Sequence, residues 1–307
     1  MSGKDVVFIV GMGRSGTSAL TRVLSLCGCS VPELLVEAKE VNAKGAWEPV
    51  ESWKLNNEFF FKNGTMAYDP SLRLQEEVCA DRNTIENYVE KIRCFLARCP
   101  SASPLLIKDL GITEVMEHWF EAARRAGFSV KVAVAVRHPQ EVFLSWKSMS
   151  GASLEITNAR WLKFSLLAER RSRGGPRVFV EYSNLLDDWQ AEITRVSDAL
   201  SIDLKPNAIS IKEFLTHDLH RQRYSGPITE TFGYPWLTRA YAILSGASRG
   251  EPVNLQALDE IYDVYRVNER AFRIARDEFL NWFDRLDQKT LQEMIDKLPL
   301  MRAGRDF

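Results

Sequence analysis

The 307-residue sequence lacks several features that would place it in a special class. No apolar run approaches the ~18 residues that a membrane-crossing helix needs, so no transmembrane segment is expected. A basic excess is missing: 40 Lys+Arg face 41 Asp+Glu for a formal net charge of −1, which argues against a dedicated nucleic-acid binder. Histidine is scarce, and His118, His138, His217 and His220 make no metal-ligand spacing. The five cysteines, Cys27, Cys29, Cys79, Cys94 and Cys99, are odd in number and fit no zinc framework. They read as reduced thiols of a cytoplasmic protein with no structural metal. Internal repeats and low-complexity linkers are absent. Val6 to Val10, after Lys4, is too short for a secretory leader, lacks a small-residue cleavage site, and reads as a core strand.

What is present is an ordinary globular composition, 45% hydrophobic and 26% charged. Val6 to Val10 is a continuous β-branched and aromatic run, the pattern of a strand buried on both faces. A glycine-rich turn, Gly11 to Gly16, follows it. Leu20, Val23, Leu24 and Cys27 then recur at helical spacing, and Gly28 marks the stop. Further strands are expected at Leu105 to Lys108, Val130 to Val136 and Arg177 to Tyr182, with helices near Thr113 to Ala126, after Pro139, and at Leu185 to Leu200. Strands alternating with helices predict an α/β fold with a parallel sheet flanked by helices. The stretch 41–81 is irregular and aromatic and reads as an insertion suited to a substrate wall. Residues 226–307 look helical around Trp236 to Leu244 and Leu255 to Leu298, an extension expected to pack on a core of residues 1–225.

The segment GMGRSGTSAL, Gly11 to Leu20, satisfies two glycine frames. Gly11, Gly13 and Gly16 match the spacing of dinucleotide loops, but no clean second strand ends in an acidic residue about 20 positions on. Gly11, Gly16 and Ser18 match a nucleotide-hydrolysing phosphate loop, except that Thr17 stands where its lysine belongs and the cation is Arg14, inside the bend. Such a loop still offers an anion the electropositive end of a helix, outward N–H groups and two hydroxyls. A second constellation lies in VRHPQEVFLSW, Val136 to Trp146. It puts Arg137 at the carboxyl end of a strand and Ser145 eight residues later, a pair able to hold another phosphate. Two such sites suggest a ligand with anionic groups at both ends.

These two motifs together resemble the sulfotransferases that use 3′-phosphoadenosine 5′-phosphosulfate (PAPS), whose product is adenosine 3′,5′-bisphosphate. The likeness is closest to bacterial members of actinobacterial or cyanobacterial type. Supporting segments are KGAWEPVESWKLNN (Lys44 to Asn57), LIKDLGITEVMEHW (Leu106 to Trp119) and RVFVEYSNLLDDW (Arg177 to Trp189), and the likeness extends from about Val6 to about Arg223. The resemblance implies that Arg14, Ser15, Gly16, Thr17 and Ser18 hold the 5′-phosphosulfate, that Arg137 and Ser145 hold the 3′-phosphate, and that no metal takes part. It implies in-line sulfuryl transfer to a hydroxyl of a small molecule, glycolipid or carbohydrate. Arg14 would act electrostatically, since an arginine gives up no proton at neutral pH. The histidine base of the cytosolic branch falls at Leu110 and is absent, and Leu110-Gly111 also breaks the bacterial Lys-Asp-Pro-Arg pattern. Lys108 and Asp109 match. The expected base is therefore a carboxylate of the insertion, Glu48 first and Glu40 second, with Asp109 next. A phosphate-loop kinase or hydrolase and a non-catalytic nucleotide-binding protein are the alternatives on the same fold.

Overall fold

The computed structural model describes residues 4–37, 44–78, 80–100, 104–216, 222–284, 290, 292 and 293. Four strands, β1 (Lys4–Gly11), β2 (Leu105–Lys108), β3 (Phe128–Val136) and β4 (Arg177–Glu181), form one parallel sheet in the order β2-β1-β3-β4. The helices among the described residues are α1 (Thr17–Leu26), α2 (Val50–Lys62), α3 (Arg73–Glu76), α4 (Arg82–Arg98), α5 (Met116–Arg125), α6 (Pro139–Ser150), α7 (Leu154–Arg171), α8 (Tyr182–Asp187), α9 (Trp189–Leu200), α10 (Ala208–Phe214), α11 (Trp236–Ser248) and α12 (Leu255–Asp284). The parallel α/β sheet read from the sequence is the one that forms.

The central strand explains its own composition. Val6 through Val10 have no exposed surface. On one face Val7 and Ile9 join Leu20, Val23 and Leu24 of α1 and Ile193, Val196 and Leu200 of α9 in a single cluster. On the other, Phe8 meets the ring of Trp119 edge-on at 6.1 Å and lies 5.4 Å from that of Phe120, both on α5. Strand alternation sends successive side chains to opposite layers, so neither layer leaves a polar position. Each such apolar side chain contributes about 1.5–3 kcal/mol on burial.

Local chemistry moves several element boundaries from the sequence reading. The helix expected over 185–200 is two, because Asp188 breaks the chain and its carboxylate caps α9, accepting from the Ala191 N–H at 3.0 Å. The helix expected from Thr113 is preceded by a 3-10 turn, Leu110–Glu114, which Asp109 caps by accepting from the Gly111 N–H at 2.8 Å. Within the irregular insertion, α2 turns Ser52, Leu55, Asn56, Phe59 and Phe60 inward at helical spacing. Its stripe is hard to read because two of those positions are polar. Each has a buried partner: Ser52 donates to Asp109 at 3.0 Å, and Asn56 Oδ1 accepts from Trp119 Nε1 at 2.9 Å. The chain divides into two compact units, Met1–Asp263 and Val264–Phe307, with α11 in the first. Within the second, Arg273 pairs with Glu269 one turn earlier at 2.6 Å. No helix among the described residues is long and apolar enough to cross a membrane.

One ion pair in the first unit is fully enclosed. Lys163 Nζ lies 2.6 Å from Glu114 Oε2, with side chains 0% and 1% exposed, and also donates to the Asp69 carbonyl at 2.7 Å. Glu114 Oε1 accepts from the Tyr68 N–H at 3.3 Å, so the pair fixes the loop that carries Tyr68. Burial pushes the Glu114 carboxyl upward, and the lysine opposes the shift. Lys163→Met should destabilise the fold by about 3–5 kcal/mol, because it strands a buried carboxylate. In urea unfolding, adding Glu114→Gln to that variant should recover part of the loss; strict additivity of the two changes would contradict the pairing.

Candidate active site

The Gly11–Gly16 loop is shaped by two close approaches. Gly11 has φ +122°, and a Cβ there would sit 2.7 Å from the Ala135 carbonyl oxygen of β3. Gly16, at φ +88°, faces the Tyr182 ring so closely that a Cβ would reach 2.2 Å from Cδ2. Between them Arg14 also takes a left-handed conformation, φ 70°, which costs a non-glycine residue about 1–3 kcal/mol and is typical of functional loops. Gly16 begins α1 with no side-chain cap and no acidic residue in the first turn. The helix therefore presents its first N–H groups and its positive end outward. The Ser18 hydroxyl is committed to the Ala46 carbonyl at 3.0 Å, tying the loop to the insertion.

The second motif converges on the same place. Pro139 opens α6 behind the His138 cap, and the first turns of that helix bring Ser145 against the loop. Arg14 Nε donates to Ser145 Oγ at 2.9 Å, so two residues read in the sequence as holding opposite ends of a ligand are in direct contact. Arg137, only 7% exposed, donates from NH1 to the Arg14 carbonyl at 3.0 Å, from Nε to Glu141 at 2.8 Å and from NH2 to the Gln222 carbonyl at 3.1 Å. Its guanidinium stacks 4.5 Å from the centre of the Tyr182 ring.

The carboxyl end of β2 supplies the rest. Lys108 Nζ lies 2.6 Å from Glu48 Oε1 and donates to the Ala46 carbonyl at 3.1 Å. Glu48 is placed by backbone pairing: its carbonyl accepts from the Val36 N–H at 2.8 Å, and the Val50 N–H reaches the Leu34 carbonyl at 3.0 Å. Trp47 adopts φ 59° in the same bend. Asp109 is buried beneath, accepting from Ser52 and the Gly111 N–H. Desolvation, reinforced by the nearby Glu48 charge, pushes its carboxyl up to about 6. The Tyr68 phenol is held well above its ordinary range by desolvation and by the Glu48, Asp109 and Glu114 carboxylates, so it stays neutral.

These groups surround one cavity of about 250 Å³. Arg14, Gly16, Thr17, Ser18, Glu48, Lys108 and Arg137 all line it; Ser15 and Ser145 stand behind the wall. Glu40 and His220 lie outside the described residues, whereas Arg223 lies on the surface, 3.5 Å from Asp187. Lys44, Tyr68, Trp146 and Tyr182 also line the cavity; the sequence reading places Tyr68 in the aromatic insertion suited to a substrate wall and gives the other three no role. Of those three, Tyr182 carried a usable signal, as the last residue of an expected strand. Among the described lining residues four cations (Arg14, Lys44, Lys108, Arg137) face one carboxylate, Glu48. Such a cavity attracts a polyanion. Among the described residues no group of three or more His, Cys, Asp and Glu could hold a metal ion.

Asp109 gives the site a measurable pH signature. A carboxyl raised on folding stabilises the native state while it is protonated; that contribution is complete below about 4 and is lost as pH rises through about 6. Stability should therefore fall across that window. Asp109→Asn, which keeps the acceptor for Gly111 and can donate to Ser52, should flatten the fall in unfolding experiments at pH 4 to 6. An unchanged profile would contradict the raised carboxyl.

No curated protein sequence matches the chain. One similar solved structure is the sulfotransferase domain from the Synechococcus PCC 7002 olefin synthase: 17% identity, 86% of this chain and 96% of that chain covered, TM-score 0.41. The sequence profile of the Sulfotransferase family matches residues 6–206, more than half of the chain and the whole stretch that carries both motifs. The chain therefore belongs to the sulfotransferase family.

Proposed function

We propose that the protein transfers a sulfuryl group from PAPS to an acceptor hydroxyl by in-line displacement. The observation that carries this reading is the meeting of the two motifs, through Arg14 Nε and Ser145 Oγ at 2.9 Å, on one cavity of strongly positive lining. Ser145, behind the wall, accepts from Arg14 and so fixes the guanidinium that faces the ligand. Arg137 uses three of its five N–H donors internally and keeps two for a ligand. A further cavity, of about 400 Å³, shares Tyr182 with the first and reaches Gln222 and Tyr224. Its charged lining is Arg223 with Glu141 and Asp187, and Arg137 faces the first cavity.

In this reading the α1 N-terminus and the Thr17 hydroxyl bind the 5′-phosphate. Arg14 balances charge on the equatorial oxygens of the transferring group and on the leaving phosphate oxygen. The acceptor oxygen bonds to sulfur as the bond from sulfur to the 5′-phosphate oxygen breaks, leaving a sulfate monoester and adenosine 3′,5′-bisphosphate. The acceptor proton passes to Glu48. Lys108 holds that carboxylate in position and adds positive charge beside the transferring group. As in phosphoryl transfer, positioning and electrostatics do most of the work, and the protein supplies its cations from side chains.

Glu48→Gln tests the proton step. It should lower kcat by about 10²–10⁴ while leaving the affinity for adenosine 3′,5′-bisphosphate within about twofold. Normal turnover by the variant would remove Glu48 as the base.

A further inference from the structure

Tyr68 stands in the wall of the cavity that Arg14, Glu48 and Lys108 line, and its backbone there is strained. It is left-handed, φ 69°, a conformation rare for a bulky side chain and kept only where the surroundings over-determine it. Several contacts do so. The Tyr68 N–H donates to the enclosed Glu114 at 3.3 Å, and its carbonyl accepts from Arg160 Nε at 2.7 Å. The ring meets Trp146 edge-on, with centroids 5.3 Å apart, and stacks on Phe164 at 5.9 Å. A Cβ on Gly13 would come 3.3 Å from Cε1 of the same ring, so the ring rests on the glycine-rich loop one residue before Arg14.

The hydroxyl is what this packing leaves unexplained. Among the described residues the hydrogen bonds of Tyr68 are those of its backbone, and the phenol makes none. A phenylalanine would keep every ring contact, and a polar group drawn out of water without a partner is penalised. Desolvation and the surrounding carboxylates, Glu48 foremost among them, keep the phenol protonated, so it has one hydrogen bond to donate. Gly13, Tyr68 and Glu48 line the same cavity. In the reaction proposed above, the sulfuryl group passes between the loop that holds the leaving phosphate and the carboxylate that takes the acceptor proton, and Tyr68 touches the first and feels the charge of the second. Resting on that reading, we propose that the Tyr68 hydroxyl donates a hydrogen bond to a sulfuryl oxygen of the bound donor, as a neutral partner to the Arg14 cation. A donor held in place beforehand adds to the stabilisation of those charged oxygens without rearrangement at the moment of transfer.

Tyr68→Phe tests this, because it keeps the ring and removes only the hydroxyl. PAPS and adenosine 3′,5′-bisphosphate differ by the sulfuryl group alone, so calorimetric titration with each, without an acceptor, isolates the contact. The variant should bind PAPS about tenfold more weakly, as expected for a lost hydrogen bond to a charged group, and bind the bisphosphate within about twofold of the unmodified protein. Its melting temperature should be unchanged or higher, since the hydroxyl has no partner in the fold to lose. Unchanged PAPS affinity would overturn the assignment. So would an equal loss for both ligands, which would place the hydroxyl on the nucleotide or the loop, or a fall of several degrees in melting temperature, which would make it a structural group. Failure of the unmodified protein to bind either ligand would remove the donor reading itself, and this assignment with it.

Discussion

The structure depends on the Arg137 guanidinium. It stands at the end of β3, where the sheet stops and the loops begin, and it joins three pieces of chain that the sheet alone would leave independent. It reaches the Arg14 carbonyl in the first loop, Glu141 on α6 and the Gln222 carbonyl, while its flat face rests on Tyr182. Tyr182 in turn leaves no space for a side chain at residue 16. The geometry of the glycine-rich loop is thus set by an arginine more than a hundred residues away. A lysine could supply the charge but not three directed bonds and a stacking face at once. One of its neighbours is the carboxylate of Glu141, one helical turn on.

The chemistry rests on an imbalance of charge along the cavity. At the loop end the charged groups among the described lining residues are all cations, Arg14, Lys44 and Arg137. At the β2 end the Lys108 ammonium is matched by Glu48, with the buried Asp109 below it. In the proposed reaction a negative ligand is drawn toward the first end, and Glu48 at the second takes the proton. Tyr68, held neutral, separates that acceptor from the apolar wall beyond.

Much of this was legible in the sequence. β1 could be read because a strand buried on both faces needs an unbroken apolar run, and Gly11 and Gly16 because close approach tolerates nothing larger. Arg137 and Ser145 could be paired because a strand end followed by Pro139 fixes where the helix begins. What could not be read has definite causes. α2 hides because Ser52 and Asn56 occupy inward positions and draw their partners from residues distant in the chain. Lys163 and Glu114 look like ordinary charged helix residues until folding encloses them together. The contact between Arg14 and Ser145 is a matter of how far α6 leans toward the loop, which no spacing along the chain encodes. Glu48 was identifiable as a candidate, but its pairing with Lys108 depends on the bend at Trp47 and on strand-like pairing with residues 34–36.

The central claim is that one ligand is gripped at both ends, by the Arg14–Ser18 loop and by Arg137. Calorimetric titration with adenosine 3′,5′-bisphosphate and with AMP tests it most directly, because the two nucleotides differ only in the 3′-phosphate. The account predicts that the bisphosphate binds at least tenfold more tightly in the unmodified protein. It also predicts that Arg137→Ala costs the bisphosphate about 2–5 kcal/mol and brings its affinity near that of AMP. Equal affinities for the two nucleotides in the unmodified protein would contradict it.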